Sequence, residues 1–584
     1  MTDACNIAAA LPRLATDAPD RVAMRCPGRN GGYGVSLTYG ELDARSDAIA
    51  AGLARRGIVR GTRTVLMVRP TPEFFLLMFA LFKAGAVPVL VDPGIDRRAL
   101  RQCLDEAAPE AFIGIPLAQF ARVLLGWAKS ARVRITTGRR ALLADAALAQ
   151  VEREGAGAGA QLSDTAPDDV AAILFTSGST GVPKGVVYRH RHFVAQIDML
   201  REAFGIEAGG VDFPTFPPFA LFDPALGLTS IIPDMDPTRP AAADPEKLHA
   251  AIARFGVDQL FGSPALMRVL AEHGAPLPTV RRVTSAGAPV PPEVVARMLE
   301  LLPDDARFWT PYGATECLPV AVIEGRELLS LRASTEQGAG TCVGRPVAPN
   351  EVRIIRVSDE AIADWSDELL VGEGEVGEIT VAGPSVTDAY FNREAQTRLA
   401  KIRETVGRAA PVAPTQPSPA GGGGLPGRDD LPPPPPEGEG WGGGKQHRIV
   451  HRMGDLGWFD AEGRLWFCGR KSHRVETADG PLYTEQVEPV FNVHPDVRRT
   501  ALVGVGANGA QRPVLCVEID GHGARGERPR IERELRAIGA GLAHTARIDT
   551  FLFHPGFPVD IRHNAKIGRE ALARWAATKT GSPQ

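Results

Sequence analysis

Short apolar runs alternate with longer amphipathic stretches along much of the chain. Thr64–Val68 and Val87–Val91 are compact runs rich in valine, and each reads as a strand. Between them, Phe74–Ala84 is too long for a strand and reads as a helix. Its apolar stretch, Phe74 to Phe82, stops at Lys83. That is about half of the ~20 residues a membrane span needs, so a buried helix is expected. Val170–Phe175 reads as a strand that runs straight into a glycine-rich loop, and Val257–Phe261 and Arg282–Ser285 as further strands. This rhythm predicts βαβ units on a mainly parallel sheet, an α/β fold.

After about Arg470 the pattern restarts with strands at Thr500–Val505 and Pro513–Ile519. A helix near Arg530–Gly541 and a terminal helix around Arg569–Ala577 follow. The expected organisation is a large N-terminal domain, 1–469, and a smaller α+β domain, 470–584. One segment, 407–444, breaks the pattern. Glycine and proline make up about half of it, Pro432 to Pro436 are consecutive, and Trp441 is its only aromatic residue. Such a composition cannot bury enough apolar surface to offset chain entropy, so a disordered surface insertion is expected. A proline-rich docking site is the alternative to a tolerated loop. Glu154–Ala160 reads as a shorter loop.

Composition narrows the function classes. Of the 584 residues, 44% are hydrophobic and 23% charged, as in an ordinary globular protein. The balance of 65 basic and 69 acidic residues, net −4, gives no footprint for nucleic acid. Seven scattered cysteines without a C-x-x-C pair speak against a disulfide scaffold or a thiolate zinc site. Met1–Asn6 carries no basic region followed by an apolar run, so no signal peptide is expected and a cytoplasmic location is.

The chemistry concentrates in Thr176-Ser177-Gly178-Ser179-Thr180-Gly181-Val-Pro-Lys184-Gly185, which a hydrophobic strand enters. Glycines admit close approach of a phosphate, hydroxyls and N–H groups donate to it, and Lys184 adds a cation. The string does not fit a Walker A loop. Two other patterns carry less. Gly504-Val-Gly-Ala-Asn-Gly509 fits G-x-G-x-x-G, but a strand follows it where a dinucleotide site needs a helix, so it reads as a hairpin turn. His190 and His192 have no third ligand nearby and read as a surface pair that starts a helix.

The ten-residue string resembles the phosphate loop of the adenylate-forming enzymes, the family of acyl-CoA synthetases, peptide-synthetase adenylation domains and luciferases. Ser285-Ala-Gly287-Ala288-Pro289 resembles its adenine-contacting turn, and Tyr312-Gly-Ala-Thr315-Glu316 its aromatic-G-x-T-E motif. Met453-Gly-Asp455 resembles T-G-D, with Met453 in place of threonine. Gly469-Arg470 matches the G-R before the hinge, and Asn564-Ala-Lys566 the closing lysine motif. The resemblance covers nearly the whole chain apart from 407–444. It implies ATP and Mg²⁺ as cofactors. Tyr312 would stack on adenine, Thr315 contact the α-phosphate, Glu316 hold Mg²⁺ and Asp455 accept from the ribose. Lys566 would reach across from a small mobile lid as the adenylate forms. A π face, a hydroxyl and a carboxylate within five residues suit a nucleotide–metal site.

Two departures bear on the second half-reaction. Ser472 stands at the hinge and Glu476 where the family commonly has lysine, an unfavourable charge for holding a polyphosphorylated thiol cofactor. Ala220, in Pro217-Pro-Phe-Ala220, stands about where many relatives have histidine in the acyl channel, and leaves room for hydrocarbon. The longer strings 216–227, 233–240, 480–489 and 557–566 resemble one subgroup, the olefin β-lactone synthetases of bacterial long-chain hydrocarbon biosynthesis. That resemblance implies a 2-alkyl-3-hydroxy fatty acid whose own 3-hydroxyl displaces AMP. It also implies pathway partners: a thiolase-like condensing enzyme, a ketoreductase and a β-lactone decarboxylase. A long-chain fatty-acyl-CoA ligase or an acyl-AMP ligase is the alternative. Asp223, Asp234 and Asp236 are acidic residues near the inferred acyl channel, each equally suited to capping a turn.

Overall fold

A computed structural model of the chain describes residues 5–28, 32–92, 94–176, 183–406, 446–519, 526–559 and 567–581. The expected elements are present with small shifts at their ends. The first strands are Arg63–Met67 and Val87–Val91, joined by the helix Pro72–Lys83. That helix is buried on all sides in the largest apolar cluster, and Lys83 at its end is 1% exposed. The Lys83 ammonium is paired with Asp43 and Asp47, both 2.6 Å away on the helix Tyr39–Arg55. A buried cation needs such partners, because desolvation otherwise drives off its proton.

Among the described residues, one sheet has seven strands. Its order is Ala146–Ala147, Val133–Thr136, Ala111–Gly114, Arg63–Met67, Val87–Val91, Val170–Thr176 and Lys184–Arg189. The first six run parallel and the last pairs antiparallel with Val170–Thr176. Helices cover both faces, which is why these strands read as continuous apolar runs.

The second sheet, of fourteen strands, is only half parallel. Val22–Cys26, Thr229–Ile231, Val211–Pro214, Gln259–Gly262, Arg282–Ser285 and Arg307–Ala314 run parallel. From Cys317–Glu324 onward the strands are antiparallel, through Thr341–Pro346, Leu465–Arg470, Gln446–Phe459, Gly377–Ala382 and Glu351–Ile355. The parallel arrangement read from the sequence therefore ends at Ala314. Beyond that point the strands follow one another through hairpins and irregular segments, with few crossover helices to reverse direction.

The smaller C-terminal domain is a three-stranded sheet, Val497–Val505, Arg512–Ile519 and Thr550–Phe553, with helices on both faces. Residues alternate between the two cores. Leu502 and Leu515 face Phe491, Ile531 and Leu535, while Ala501, Val503 and Cys516 face Leu572 and Ala576. The stretch Gly504–Gly509 is part of a hairpin, with Val505 opposite Arg512, as its sequence context predicts. No helix among the described residues is long and apolar enough to cross a membrane. The insertion 407–444 lies outside the described residues, between strands whose ends, Val406 and Gln446, are paired.

Candidate active site

The parallel strands of both sheets deliver their motifs at their C-terminal ends, where open α/β sheets bind ligands. Val170–Thr176 ends at Thr176, which pairs with Lys184 on the returning strand. The loop between them carries Ser177, Gly178, Ser179, Thr180 and Gly181, which lie outside the described residues, as does Lys566. Arg282–Ser285 leads into the turn Gly287-Ala288-Pro289, in which Gly287 has φ +100°, a region that favours glycine. The Ser285 hydroxyl at its start is buried and has no hydrogen-bond partner among the described residues. Thr315 and Glu316 form a two-residue turn between Ala314 and Cys317, so that both point from one hairpin tip.

Side chains distant in sequence converge on that tip. The Tyr312 hydroxyl donates to Asp455 Oδ2 across 2.6 Å, although three strands separate their two strands in the sheet order. The antiparallel half of the sheet therefore curls back over the parallel half. Asp455 Oδ1 lies 2.8 Å from the Arg470 guanidinium, its cross-strand neighbour. Burial raises the Asp455 carboxyl, opposed by Arg470. The Tyr312 phenol is pushed well above its ordinary range, by burial and then by the Asp455 charge, so it stays a donor.

Four residues at the site were not singled out from sequence. Tyr390 donates to Glu316 Oε1 across 2.7 Å, and Lys184 Nζ sits 5.0 Å from the centre of the Tyr390 ring. Thr387 holds the Glu316 carbonyl through both its amide and its hydroxyl, each at 2.9 Å. Lys401 is buried, donates to the Thr387 carbonyl, and has its ammonium pushed down to about 8 by burial. Tyr188 donates to the Thr315 carbonyl. The signal that would have found them is the pairing of Ala389–Phe391 with the strand Lys184–Arg189, a contact across about 200 residues.

Other expected residues fall elsewhere. His190 and His192 start the helix His190–Phe204, but both are fully buried, not surface residues. Burial holds them neutral, pushing His190 down to about 4 and His192 to about 3. His192 Nδ1 accepts from the Arg189 amide, so it caps the helix. Asp236 caps a turn through Thr238, and Asp234 lies 3.9 Å from Lys247. Asp223 is buried against Ser230 and Asp212, toward the N-terminal ends of the parallel strands and so away from Ser285 and Glu316. Ala220 is buried in the apolar cluster with Phe193 and Phe222. Ser472 is exposed, between Lys471, ion-paired to Glu378 at 3.1 Å, and Arg474, bonded to Asp359. Glu476 accepts from Arg474 at 2.8 Å. A Cβ at Gly469 would come within 2.3 Å of Thr484 Oγ1, so this position has no room for a side chain.

Comparison with known proteins shows the family. The AMP-binding enzyme family matches residues 11–391. The olefin beta-lactone synthetase of Xanthomonas campestris pv. campestris is 67% identical over 582 residues, 99% of this chain and 98% of its own length. That of Stenotrophomonas maltophilia is 65% identical over 587 residues, 99% of each. In fold, the amide bond synthetase from Marinactinospora thermotolerans is similar with a TM-score of 0.71 over 98% of this chain and 99% of its own, at 22% identity. The chain belongs to the AMP-binding enzyme family, whose members use ATP to form adenylates.

Proposed function

We propose that the protein is an ATP-dependent β-lactone synthetase acting on a 2-alkyl-3-hydroxy fatty acid. The observation that carries this reading is the identity of 67% along nearly the whole of both chains with an olefin beta-lactone synthetase. A carboxylate oxygen of the acid attacks the α-phosphorus of ATP and pyrophosphate leaves with the bridging oxygen. The 3-hydroxyl oxygen then attacks the acyl carbon, gives up its proton, and AMP leaves as the four-membered ring closes. The nucleophile is tethered, so no second substrate has to be bound.

The residues divide the work of adenylation, which is alignment and charge neutralisation. Thr176 to Gly181 and Lys184 would cradle the phosphates. Gly287, Ala288, Pro289 and Tyr312 would hold adenine, Asp455 and Arg470 the ribose, and Thr315 the α-phosphate. Lys566, on a mobile lid formed by 470–584, would meet the charge developing between carboxylate and phosphate. The donor set fits Mg²⁺. Glu316 offers a half-buried hard-oxygen ligand, and a magnesium ion that takes one carboxylate draws its remaining ligands from phosphates and water. When bound, the ion would neutralise charge on the polyphosphate. Glu476, paired with Arg474, stands where relatives commonly carry a lysine, so the hinge lacks that cation for a polyphosphorylated thiol. By this reading the protein works in the cytoplasm, between enzymes that build the hydroxy acid and one that decarboxylates the lactone.

The test is a product assay with Mg·ATP and a synthetic 2-alkyl-3-hydroxy acid, with and without CoA, followed by proton NMR. A β-lactone with AMP and pyrophosphate, formed without CoA, is expected. A thioester formed only with CoA overturns the reading.

A further inference from the structure

Six of the twelve exposed large hydrophobic residues among those described fall within 117–143, and each of the six is 50% to 70% exposed. Leu117, Phe120 and Leu124 have i, i+3, i+7 spacing on the helix Pro116–Leu125, with Val123 beside them. The other side of this helix packs on the sheet, where Gln119 is buried and donates to the Ile135 carbonyl at 2.8 Å. The outward apolar face is therefore a rigid surface feature. Leu142 and Leu143 extend it from the neighbouring loop. Arg122 bonds the Leu143 carbonyl at 3.0 Å, which ties loop to helix. Leu143 has φ +59°, a conformation unusual for a leucine and costly to hold.

The charge around this face has one sign. Between Ile115 and Ala144 there are six lysines and arginines and no acidic residue, in a chain whose net charge is −4. Lys129, Arg132, Arg139 and Arg140 are exposed and make no ion pair among the described residues. Arg139 and Arg140 follow the C-terminal end of the strand Val133–Thr136, while Lys129 and Arg132 precede its other end. The cations thus bracket the helix at both ends.

We propose that this face docks the protein on an anionic lipid surface. Leucine and phenylalanine would enter the headgroup region while the flanking arginines and lysines meet phosphate. A protein surface would require complementary acids against a fully apolar centre. A bilayer supplies both in one layer, and so fits the bracket of cations best. The face also ends near the site. Pro116 and Thr137 begin just after strands that lie three and four positions from Val170–Thr176 in the same sheet, at its C-terminal edge. At ~4.8 Å per strand that is roughly 15–20 Å.

The test is co-sedimentation of the full chain with vesicles, a readout independent of activity. Vesicles of phosphatidylcholine with about 30% phosphatidylglycerol should pellet the protein, pure phosphatidylcholine should not, and high salt should release it. Two surface variants, Leu117→Ser with Leu124→Ser and Arg139→Glu with Arg140→Glu, should each lower binding at least ~10-fold. Both should keep the wild-type rate of ATP–pyrophosphate exchange. Wild-type protein that stays in the supernatant overturns the proposal, as does sedimentation of both variants equal to that of wild type. A concentration-dependent dimer that Leu124→Ser dissociates, without lipid binding, assigns the face to a second copy instead.

Discussion

Tyr390 donates its phenolic proton to Oε1 of Glu316 across 2.7 Å, and its ring lies under the ammonium of Lys184. One tyrosine thereby links the strand leaving the phosphate loop to the carboxylate proposed to hold the metal ion. Tyr390→Phe keeps the ring and removes the donor. A hydrogen bond to a charged group contributes about 1.5–3 kcal/mol, so Glu316 should lose orientation while the fold persists. The expected outcome is a ~10-fold fall in ATP–pyrophosphate exchange at subsaturating Mg²⁺, partly recovered at high Mg²⁺, with a melting temperature within about 2 °C of wild type. An unchanged Mg²⁺ dependence would remove Tyr390 from this role.

Lys401 supports the same residue from behind, through Thr387, which holds the Glu316 carbonyl. Its pKa is held down to about 8 by burial, with the Glu316 charge opposing the shift. The ammonium is present below that pH and lost as pH rises through it. The positive field beside Glu316 then disappears. Wild-type exchange should therefore decline above pH 8. Lys401→Met, an apolar residue of similar reach, should start about 10-fold lower at pH 7 and stay flat to pH 9. Parallel pH profiles for the two proteins would assign Lys401 a purely structural part.

The division between what was legible and what was not follows the range of the interactions. Glu316, Tyr312, Asp455 and Arg470 stand in short strings whose residue types already state their chemistry, and the structure brings Tyr312, Asp455 and Arg470 into contact. Tyr390 is a single polar residue in an irregular stretch, and Lys401 a single one at the start of the strand Lys401–Val406. Their meaning arises only when Ala389–Phe391 lies along Lys184–Arg189. His190 and His192 misled for the same reason. Polar residues at a helix start usually face solvent, and only the tertiary packing that gives them 0% exposure makes them interior. Val87–Val91 was found to the residue, because a strand buried in the sheet reads as a continuous apolar run. Arg282–Ser285 was also found to the residue, although it reads Arg-Val-Thr-Ser and its burial alternates.

Asp223 and Asp212 form a buried acidic pair, toward the end of the sheet away from the nucleotide motifs. Burial pushes the Asp223 carboxyl up to about 7, and Asp212 also rises. A carboxyl whose folded pKa lies above its unfolded value of 3.8 stabilises the fold fully below pH 3.8. That contribution is lost as pH rises through about 7. Asp223→Asn removes the titration yet can still accept from Ser230. The variant's melting temperature should change less than half as much between pH 5 and pH 8, and exceed wild type at pH 8. Equal slopes would contradict the raised Asp223 carboxyl.

The strands Lys401–Val406 and Gln446–Phe459 stay in register from Lys401–His451 out to Val406–Gln446. The ends that flank 407–444 are therefore held together by the ladder itself. Replacing 407–444 with Asn-Gly should close a short hairpin there. Exchange rate should remain within about twofold, and melting temperature within about 2 °C, of the full chain, since loop length itself costs little. A large fall in melting temperature would make the segment structural.

Lys566 tests the adenylation step directly. A cation placed where negative charge develops stabilises the transition state far more than the ground state, and its removal costs about 10²–10³ in rate. ATP itself would be held by groups elsewhere in the chain: the loop 176–184, Tyr312 and Asp455. Lys566→Ala should therefore bind ATP within about threefold of wild type while losing at least ~100-fold in ATP–pyrophosphate exchange. Hydrolysis or lactonisation of a pre-formed acyl-adenylate should fall much less, because that step needs no charge at the forming Pα–O bond. Equal losses in all three assays would mean that the substitution damages the lid as a whole, and exchange at the wild-type rate would remove Lys566 from the reaction.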